Sequence, residues 1–479
     1  MGFSKGQVAT VCLRNSIDWP TICLGVWLGG GVISGVNPTF GVEELKFQIR
    51  DSDAAIVFTQ EECLDRVLEA TTAQKVFVTG VDVDTSSSRT VSFEQLLLET
   101  RPDFNLPKPN LKPKVDLALL PYSSGTTGRP KGVMLTHQSL YANCVSVSVG
   151  AAPLLGLLDI DPLELMYRAN ISLPPYFHAL GFSQMMRSLI GGTRLVPMAK
   201  FHPRKFLQLV QDFKTPFLEL VPALVQFIAM SKVSREYDLS SVQFITCGSA
   251  PLGRELSLEL RKRLPNLKVL MQGYGMTELS LASHMTTPTL IDEAKLGSVG
   301  KVLPGIEAKI VDVESGVELE PNQRGEICVR SVAVMKGYRS GVSATAAMLD
   351  KDGWLHTGDV GYFDDDEDFF IVDRLKELIK VKGLAVAPAE LEDLLMTHPS
   401  VADCAVVGVP HERLGEAPRA FVSLKKGSGD IRVTAEELKQ FVDEKVAPHK
   451  QLAAGVAIVA EIPRSSAGKL LRRQLKAKL

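Results

Sequence analysis

The segment YSSGTTGRPKGVMLTH, residues 122–137, gathers three glycines, five serine and threonine hydroxyls, an arginine and a lysine. Glycine loses more conformational entropy on ordering than any other residue. Glycines concentrated beside small hydroxyls therefore mark a backbone that must approach another group closely. Successive N–H groups of small residues converge into an anion-binding nest; the hydroxyls add donors, Lys131 adds positive charge, and a phosphate chain is the natural guest. The segment is not a GxxxxGK[ST] loop: Pro130 stands at the second glycine position, and Gly132 follows Lys131 where a hydroxyl is needed. Glycine and serine also compose flexible linkers. Here the flanks read otherwise, because VDLALLPY (115–122) enters as a strand and KGVMLTHQSLYANC (131–144) leaves towards a helix.

The rest of the chain sets bounds on this reading. Its 479 residues favour two or more domains. A hydrophobic content of 45% with 23% charged residues fits a soluble protein with substantial cores. Lys and Arg number 53 against 55 Asp and Glu, a net charge of -2, which gives no electrostatic reason to expect nucleic acid or a membrane surface. The seven cysteines (12, 23, 63, 144, 247, 328 and 404) form no CxxC and no metal spacing, and read as reduced thiols in a reducing compartment. The most apolar run, WPTICLGVWLGGGVISGV (19–36), contains five glycines and reads as a buried helix running into a strand, not as an integral membrane span. The opening MGFSKGQVATVCLRNS lacks the apolar core of a signal peptide.

Short β-rich runs alternate with amphipathic stretches. DAAIVFT (53–59), KVFVTG (75–80) and VQFITCGSA (242–250) read as strands, whereas PRKFLQLVQDFK (203–214) and LGRELSLELRKRLP (252–265) read as helices. This alternation predicts an α/β fold with mostly parallel sheets covered by helices. From about residue 298 the texture changes, and AKIVDVESGVELEPNQRGEICVRS (308–331) reads as antiparallel strands. The charged DRLKELIK (373–380) precedes a helix and a strand in APAELEDLLMTHPSVADCAVVGVP (387–410), so the domains are placed at 1–373 and 374–479.

Five other segments combine small, aromatic and charged residues: PPYFHALGF (174–182), CGSAPLG (247–253), QGYGMTE (272–278), GWLHTGDVGYF (353–363) and IPRSSAGKLLRR (462–473). With the glycine loop, and in this order, they resemble the adenylate-forming superfamily: acyl-CoA synthetases, 4-coumarate–CoA ligases, beetle luciferases and peptide-synthetase adenylation domains. The resemblance covers nearly the whole chain and is nearest to the acyl-CoA ligases. It implies a large N-terminal domain of helix-covered sheets plus a distorted barrel, and a small mobile α+β C-terminal domain. Family members usually carry some tens of residues before the segment resembling GFSKGQVATVCLRNS, so the chain is expected to lack that first piece.

The resemblance also implies a chemistry. A carboxylate attacks the α-phosphate of ATP, pyrophosphate leaves, and a thiol, here coenzyme A, displaces AMP from the acyl-AMP. Ser123, Ser124, Gly125, Thr126, Thr127, Gly128 and Lys131 would cradle the β- and γ-phosphates. Thr277 would bond the α-phosphate and Glu278 would hold Mg²⁺, a hard ion suited by oxygen. Gly248, Ser249, Ala250 and Pro251 would lie along the adenine, with Tyr274 on its other face and Gln272, Gly273 and Gly275 in the same segment. Asp359 would accept the ribose hydroxyls, as an acceptor-only carboxylate does, with Arg374 beside it. Lys469 would bridge the carboxylate and phosphate in the first step. In the second step the small domain would turn about Lys376 and bring in Lys380, Gly383 and Val386. Ala385 replaces a frequent Gln, and KQLAAGV (450–456) lacks a frequent Lys and Arg, which weakens the expected contacts to AMP or CoA.

His178 would line the acyl pocket and gate the thiol, although a histidine beside aromatics is often only packed. Other lining candidates are Tyr176, Leu180, Cys247, Gly248, Gly273, Gly275, Met276, Ser280 and Leu281. They are apolar or small and carry no Lys, Arg or Asp, so an apolar monocarboxylate, fatty or arylpropenoic, is expected. A luciferase-type oxygenase and a carrier-loading adenylation enzyme share the first half-reaction and stand as alternatives. The ending Ala477, Lys478, Leu479 resembles the peroxisomal tripeptide, which implies an import receptor and a peroxisomal address, with the cytoplasm otherwise.

Overall fold

In the computed structural model, Val8–Cys12 is buried at every position. That is the pattern of a strand covered on both faces. It pairs in parallel with Val32–Gly35 and Ala54–Gln60. The structure describes residues 3–80, 89–99, 109–123, 130–157, 161, 164, 167–250, 252–287, 295–382, 384–425, 433–465 and 470–476. Among these, the first sheet continues in parallel through Lys75–Thr79 and Thr90–Ser92 on one side and Leu117–Leu119 on the other. Lys131–Thr136 then adds antiparallel to Leu117–Leu119. The most apolar run is, as expected, a helix, Asp18–Leu28, followed by the strand Val32–Gly35. Trp19, Ile22, Cys23 and Val26, spaced along one face, are its buried residues.

A second sheet runs Phe217–Leu220, Phe244–Cys247 and Val269–Met276 in parallel, then turns antiparallel through Leu281–Met285. Helix Ala179–Gly191 lies beside it, and Arg254–Arg263 follows its second strand. The expected change of texture is an antiparallel sheet of Ile306–Val311, Gly325–Ser331, Leu355–Phe363 and Phe369–Arg374.

The strand ending at Arg374 belongs to this sheet, and Ile379–Val381 begins the next one. That last sheet has its own core, in which Val406 and Val422 of two long antiparallel strands pack on Leu391, Leu395 and Leu438. Gln226 Nε2 donates to Ala402 O at 3.1 Å and joins the two regions. All seven cysteines are free and buried. Burial raises the thiols of Cys144 and Cys247, the latter to about 12. Among the described residues one apolar helical stretch, His137–Gly156, is long enough to cross a membrane. It begins at a capping box, in which Ser139 N donates to Thr136 Oγ1 and Thr136 N to Ser139 Oγ, so the strand after the glycine loop turns at once into a helix.

Candidate active site

The sheets and the C-terminal region enclose one cleft of about 2680 Å³. The glycine loop enters it as a hairpin: Ser123 pairs with Lys131, and both line the cleft. Ser124, Gly125, Thr126, Thr127 and Gly128 lie outside the described residues, as do Pro251, Gly383 and Lys469. Lys131 Nζ stands 5.1 Å from the ring centre of Tyr338.

Glu278 follows the strand Val269–Met276 in a single 3₁₀ turn and is buried. Its Oε1 accepts from Ser123 Oγ at 2.8 Å and from Tyr338 OH at 2.7 Å. Burial, then the Glu278 charge, pushes the Tyr338 hydroxyl up, so it stays a donor. No bond to Oε2 occurs among the described residues, and Thr277 lines the cleft next to it. A carboxylate oxygen flanked by hydroxyls is a hard donor set that fits Mg²⁺. Only glycine serves at 275, because a Cβ there would sit 1.8 Å from Leu281 O. The ladder shifts register at this point, which turns the strand into the cleft.

Asp359 follows a turn that glycine permits. Gly358 has φ 71, and its N–H donates to Glu326 Oε1 at 2.9 Å. Asp359 N donates to Thr357 Oγ1 at 3.1 Å. The buried carboxylate then meets two partners: Tyr274 OH donates to Oδ2 at 2.7 Å, and Arg374 Nε lies 3.3 Å from Oδ1, directly across the strand pair. Burial first, then Asp359, raises the Tyr274 hydroxyl. Gly248, Ser249 and Ala250 form a ledge at the end of Phe244–Cys247, with Ser249 left-handed at φ 71. Gln272 supports that ledge, its Oε1 accepting from Leu252 N at 2.8 Å.

His178 lines the cleft and starts helix Ala179–Gly191, but its side chain does not cap it. A Cβ on Gly181 would come within 2.3 Å of Pro174 O and Pro175 O, so glycine seats this helix against the preceding loop. Leu180, Cys247, Gly273, Met276 and Leu281 also line the cleft. Two acyl-pocket expectations fail. Tyr176 is buried edge-on against Trp19, at 6.3 Å between rings, and Ser280 turns away to donate to Ala333 O at 2.7 Å.

From the C-terminal region, Ser465 and Leu470 line the cleft, and Arg464 forms an antiparallel bridge with Leu470. Arg472 holds this arm by ion pairs to Glu377 and Glu392. Lys376 sits exposed at the cleft's edge, whereas Lys380 is exposed outside its lining. Among the described residues, Arg464, Ser465 and Leu470 thus line the same cleft as Thr277 and Asp359, whereas Lys380 does not. Sequence reasoning missed Tyr338, Glu326, Arg187 and Glu219; the last two are an opposite-charge pair within the cleft wall.

A sequence profile of the AMP-binding enzymes matches residues 1–339, and that of the AMP-binding enzyme C-terminal domain matches 390–469. The chain belongs to the AMP-binding enzyme family. This AMP-binding enzyme is 40% identical over 483 residues to a 4-coumarate–CoA ligase of Vanilla planifolia, covering 100% of the chain and 85% of that protein. It is 39% identical to 4-coumarate–CoA ligase 1 of Petroselinum crispum, covering 100% and 86%. Among solved structures it resembles ATP-bound MatB from Rhodopseudomonas palustris, with a TM-score of 0.85, 25% identity, and coverage of 100% and 89%. It also resembles o-succinylbenzoate CoA synthetase from Bacillus subtilis with its acyl-adenylate, with a TM-score of 0.81, 29% identity, and coverage of 99% and 88%.

Proposed function

We propose that this AMP-binding enzyme is an ATP-dependent acid–thiol ligase. Its carboxylic acid attacks the α-phosphate of ATP and expels pyrophosphate, and the thiol of coenzyme A then displaces AMP to give acyl-CoA. The observation that supports this reading is convergence: Asp359, Tyr274, Thr277, Glu278 and, from the C-terminal region, Ser465 and Leu470 line one cleft whose lining is mostly apolar. Two anions must meet there, so preorganised cations and donors supply the largest stabilisation. Asp359 orients the ribose, Thr277 and the 123–131 hairpin bind phosphates, and Lys469 steadies charge on the attacking carboxylate. Mg²⁺ held by Glu278 would neutralise charge on the phosphates.

Thioester formation follows a turn of residues 374–479 about Lys376, which withdraws the Lys469 arm and admits Lys380. Peroxisomal import through a receptor for Ala477, Lys478 and Leu479 is proposed from sequence; those residues lie outside the described ones. A fluorescent fusion with a free tail, against one lacking Leu479, tests it, and a diffuse signal from the intact fusion overturns it. The ligase reading is tested by pyrophosphate release across an acid panel, with acyl-CoA detected by mass spectrometry. Pyrophosphate without acyl-CoA would leave adenylation alone.

A further inference from the structure

The strands Gly325–Ser331 and Leu355–Phe363 bring three metal-ligating side chains together at the cleft wall. Cys328 pairs directly with His356 across the two strands, and Glu326 lies two residues before Cys328. His356 Nδ1 stands 2.8 Å from Glu326 Oε2 and 3.5 Å from Cys328 Sγ. The three ligand atoms all lie within 4.8 Å of one another. Glu326 and His356 line the cleft, and the His356 side chain is 36% exposed, so a solvated ion can reach them. Cys328 is buried. Positions 326, 328 and 356 form no short metal motif in the sequence, because two strands supply them.

The spacing suits a tetrahedral zinc centre. Zinc bonds of about 2.1 Å to N and O and about 2.3 Å to S set N and O ligands about 3.4 Å apart, and N and S about 3.6 Å apart. The Cys328–His356 separation already matches, and Glu326 needs to withdraw from its hydrogen bond by only about 0.6 Å. The surroundings hold the ligands ready. Glu326 Oε1 accepts from Gly358 N at 2.9 Å while Oε2 meets His356. Asp350 Oδ2 lies 3.8 Å from the other ring nitrogen, His356 Nε2. Asp350 is itself fixed, its Oδ1 accepting from Asp352 N at 2.9 Å and Trp354 N at 2.8 Å. A carboxylate at the outer nitrogen of a ligating histidine fixes its tautomer and raises its basicity. Charge agrees as well. Lys309, across the neighbouring strand from Cys328, rests on the Trp354 ring at 4.5 Å, and Arg330, on the same ring, is paired with Glu307. Glu326 and Asp350 thus outweigh Lys309, and a dication with the Cys328 thiolate brings the group to neutrality.

We propose that Glu326, Cys328 and His356 bind a zinc ion at the wall of the cleft, at a site separate from the Mg²⁺ position at Glu278. The inference does not depend on the ligase reading. A thiolate and an imidazole select zinc over magnesium, which takes oxygen ligands. On binding, the Cys328 S–H bond breaks, its proton passes to solvent and the S–Zn bond forms. The ring proton of neutral His356 moves from Nδ1, which takes the metal, to Nε2, which faces Asp350.

The test is a Co²⁺ titration of the full chain after treatment with a chelator. Cobalt takes the same ligands as zinc and reports a thiolate among them by charge-transfer absorption in the near ultraviolet. One equivalent of Co²⁺ should produce that band, and one equivalent of Zn²⁺ should remove it. An excess of Mg²⁺ of about a thousandfold should leave it in place. Cys328→Ser should abolish the band. If that variant fails to fold, Asp350→Asn decides: it leaves all three ligands in place and should weaken Co²⁺ binding about 10–100-fold. No band in the unaltered protein, a band displaced by Mg²⁺ or a band that survives in Cys328→Ser would overturn the inference. In the absence of a folded Cys328→Ser, an unchanged Co²⁺ affinity in Asp350→Asn would do the same.

Discussion

Tyr274 and Asp359, 85 positions apart, share a hydrogen bond of 2.7 Å at the centre of the cleft. With Arg374 at the other oxygen, the carboxylate is oriented before any nucleotide arrives. The two side chains then have separable roles. Asp359→Ala removes both ribose acceptors and should raise the KM for ATP about a hundredfold, near 3 kcal/mol for charged hydrogen bonds. Tyr274→Phe keeps the ring and should raise it no more than about tenfold, since one net hydrogen bond contributes only about 0.5–1.5 kcal/mol. Pyrophosphate exchange over a range of ATP concentrations separates them, and equal effects would contradict the assignment.

Glu278 receives two hydroxyl donors on one oxygen, and among the described residues none on the other. Glu278→Gln preserves shape and removes the charge. It should lower adenylation about a hundredfold and raise the Mg²⁺ concentration needed for half-maximal rate. Tyr338→Phe should cost less than about tenfold, since it deletes one neutral donor. A Mg²⁺ titration of both variants checks this. An unchanged Mg²⁺ requirement in Glu278→Gln would reduce Glu278 to a structural acceptor.

Ser465 and Leu470, on either side of the stretch that holds Lys469, line the cleft while Lys380 does not, so under the proposed roles the two half-reactions should respond differently. Lys469→Ala should abolish acyl-AMP formation and spare conversion of supplied acyl-AMP to acyl-CoA. Lys376→Pro should do the reverse, because proline fixes φ where a hinge must change it. Equal loss of both half-reactions in either variant would remove the corresponding role.

Asp373 lies beside the proposed hinge. Its Oδ1 accepts from Arg374 N at 2.7 Å and its Oδ2 from Ala389 N at 3.0 Å, at the start of helix Pro388–Met396. Burial raises the carboxyl from 3.8 to about 6 despite these bonds. The folded chain therefore binds this proton more tightly than the unfolded chain. The resulting stability is present below pH about 4 and declines as pH rises towards about 6, by no more than about 3 kcal/mol. Asp373→Asn should flatten that part of the profile. Parallel melting curves of the two proteins between pH 4 and about 7 would refute this.

The sheets and the nucleotide corner were legible because local signals carry them. Alternation of strand and helix runs gave the α/β layers, and GWLHTGD placed Asp359 after its glycine turn. The Arg187–Glu219 pair of the cleft wall was not legible in the same way. Arg187 and Glu219 are 32 positions apart, on a helix and a strand that meet only through packing. A signal existed: FLEL (217–220) puts one acid into an apolar strand run, and MMRSLIG (185–191) one base into an apolar helix run. Tyr338, 60 positions from Glu278, likewise gave no local cue to its partner. Tyr176 was misplaced because an aromatic beside His178 suits a pocket and a core equally, and only the position of Trp19 decides between them.

The buried cysteines have a practical consequence for testing the proposed turn of the C-terminal region. Maleimide dyes react with accessible thiolates, and every native thiol is enclosed. Cys63, lowered to about 7 chiefly by its hydrogen bond with Cys12, is enclosed too. Cysteines installed at Val342, 89% exposed, and Leu384, 53% exposed, would thus take a donor–acceptor dye pair against a silent background. Energy transfer between them would then report the angle of the small domain turnover by turnover, with all seven native cysteines left in place.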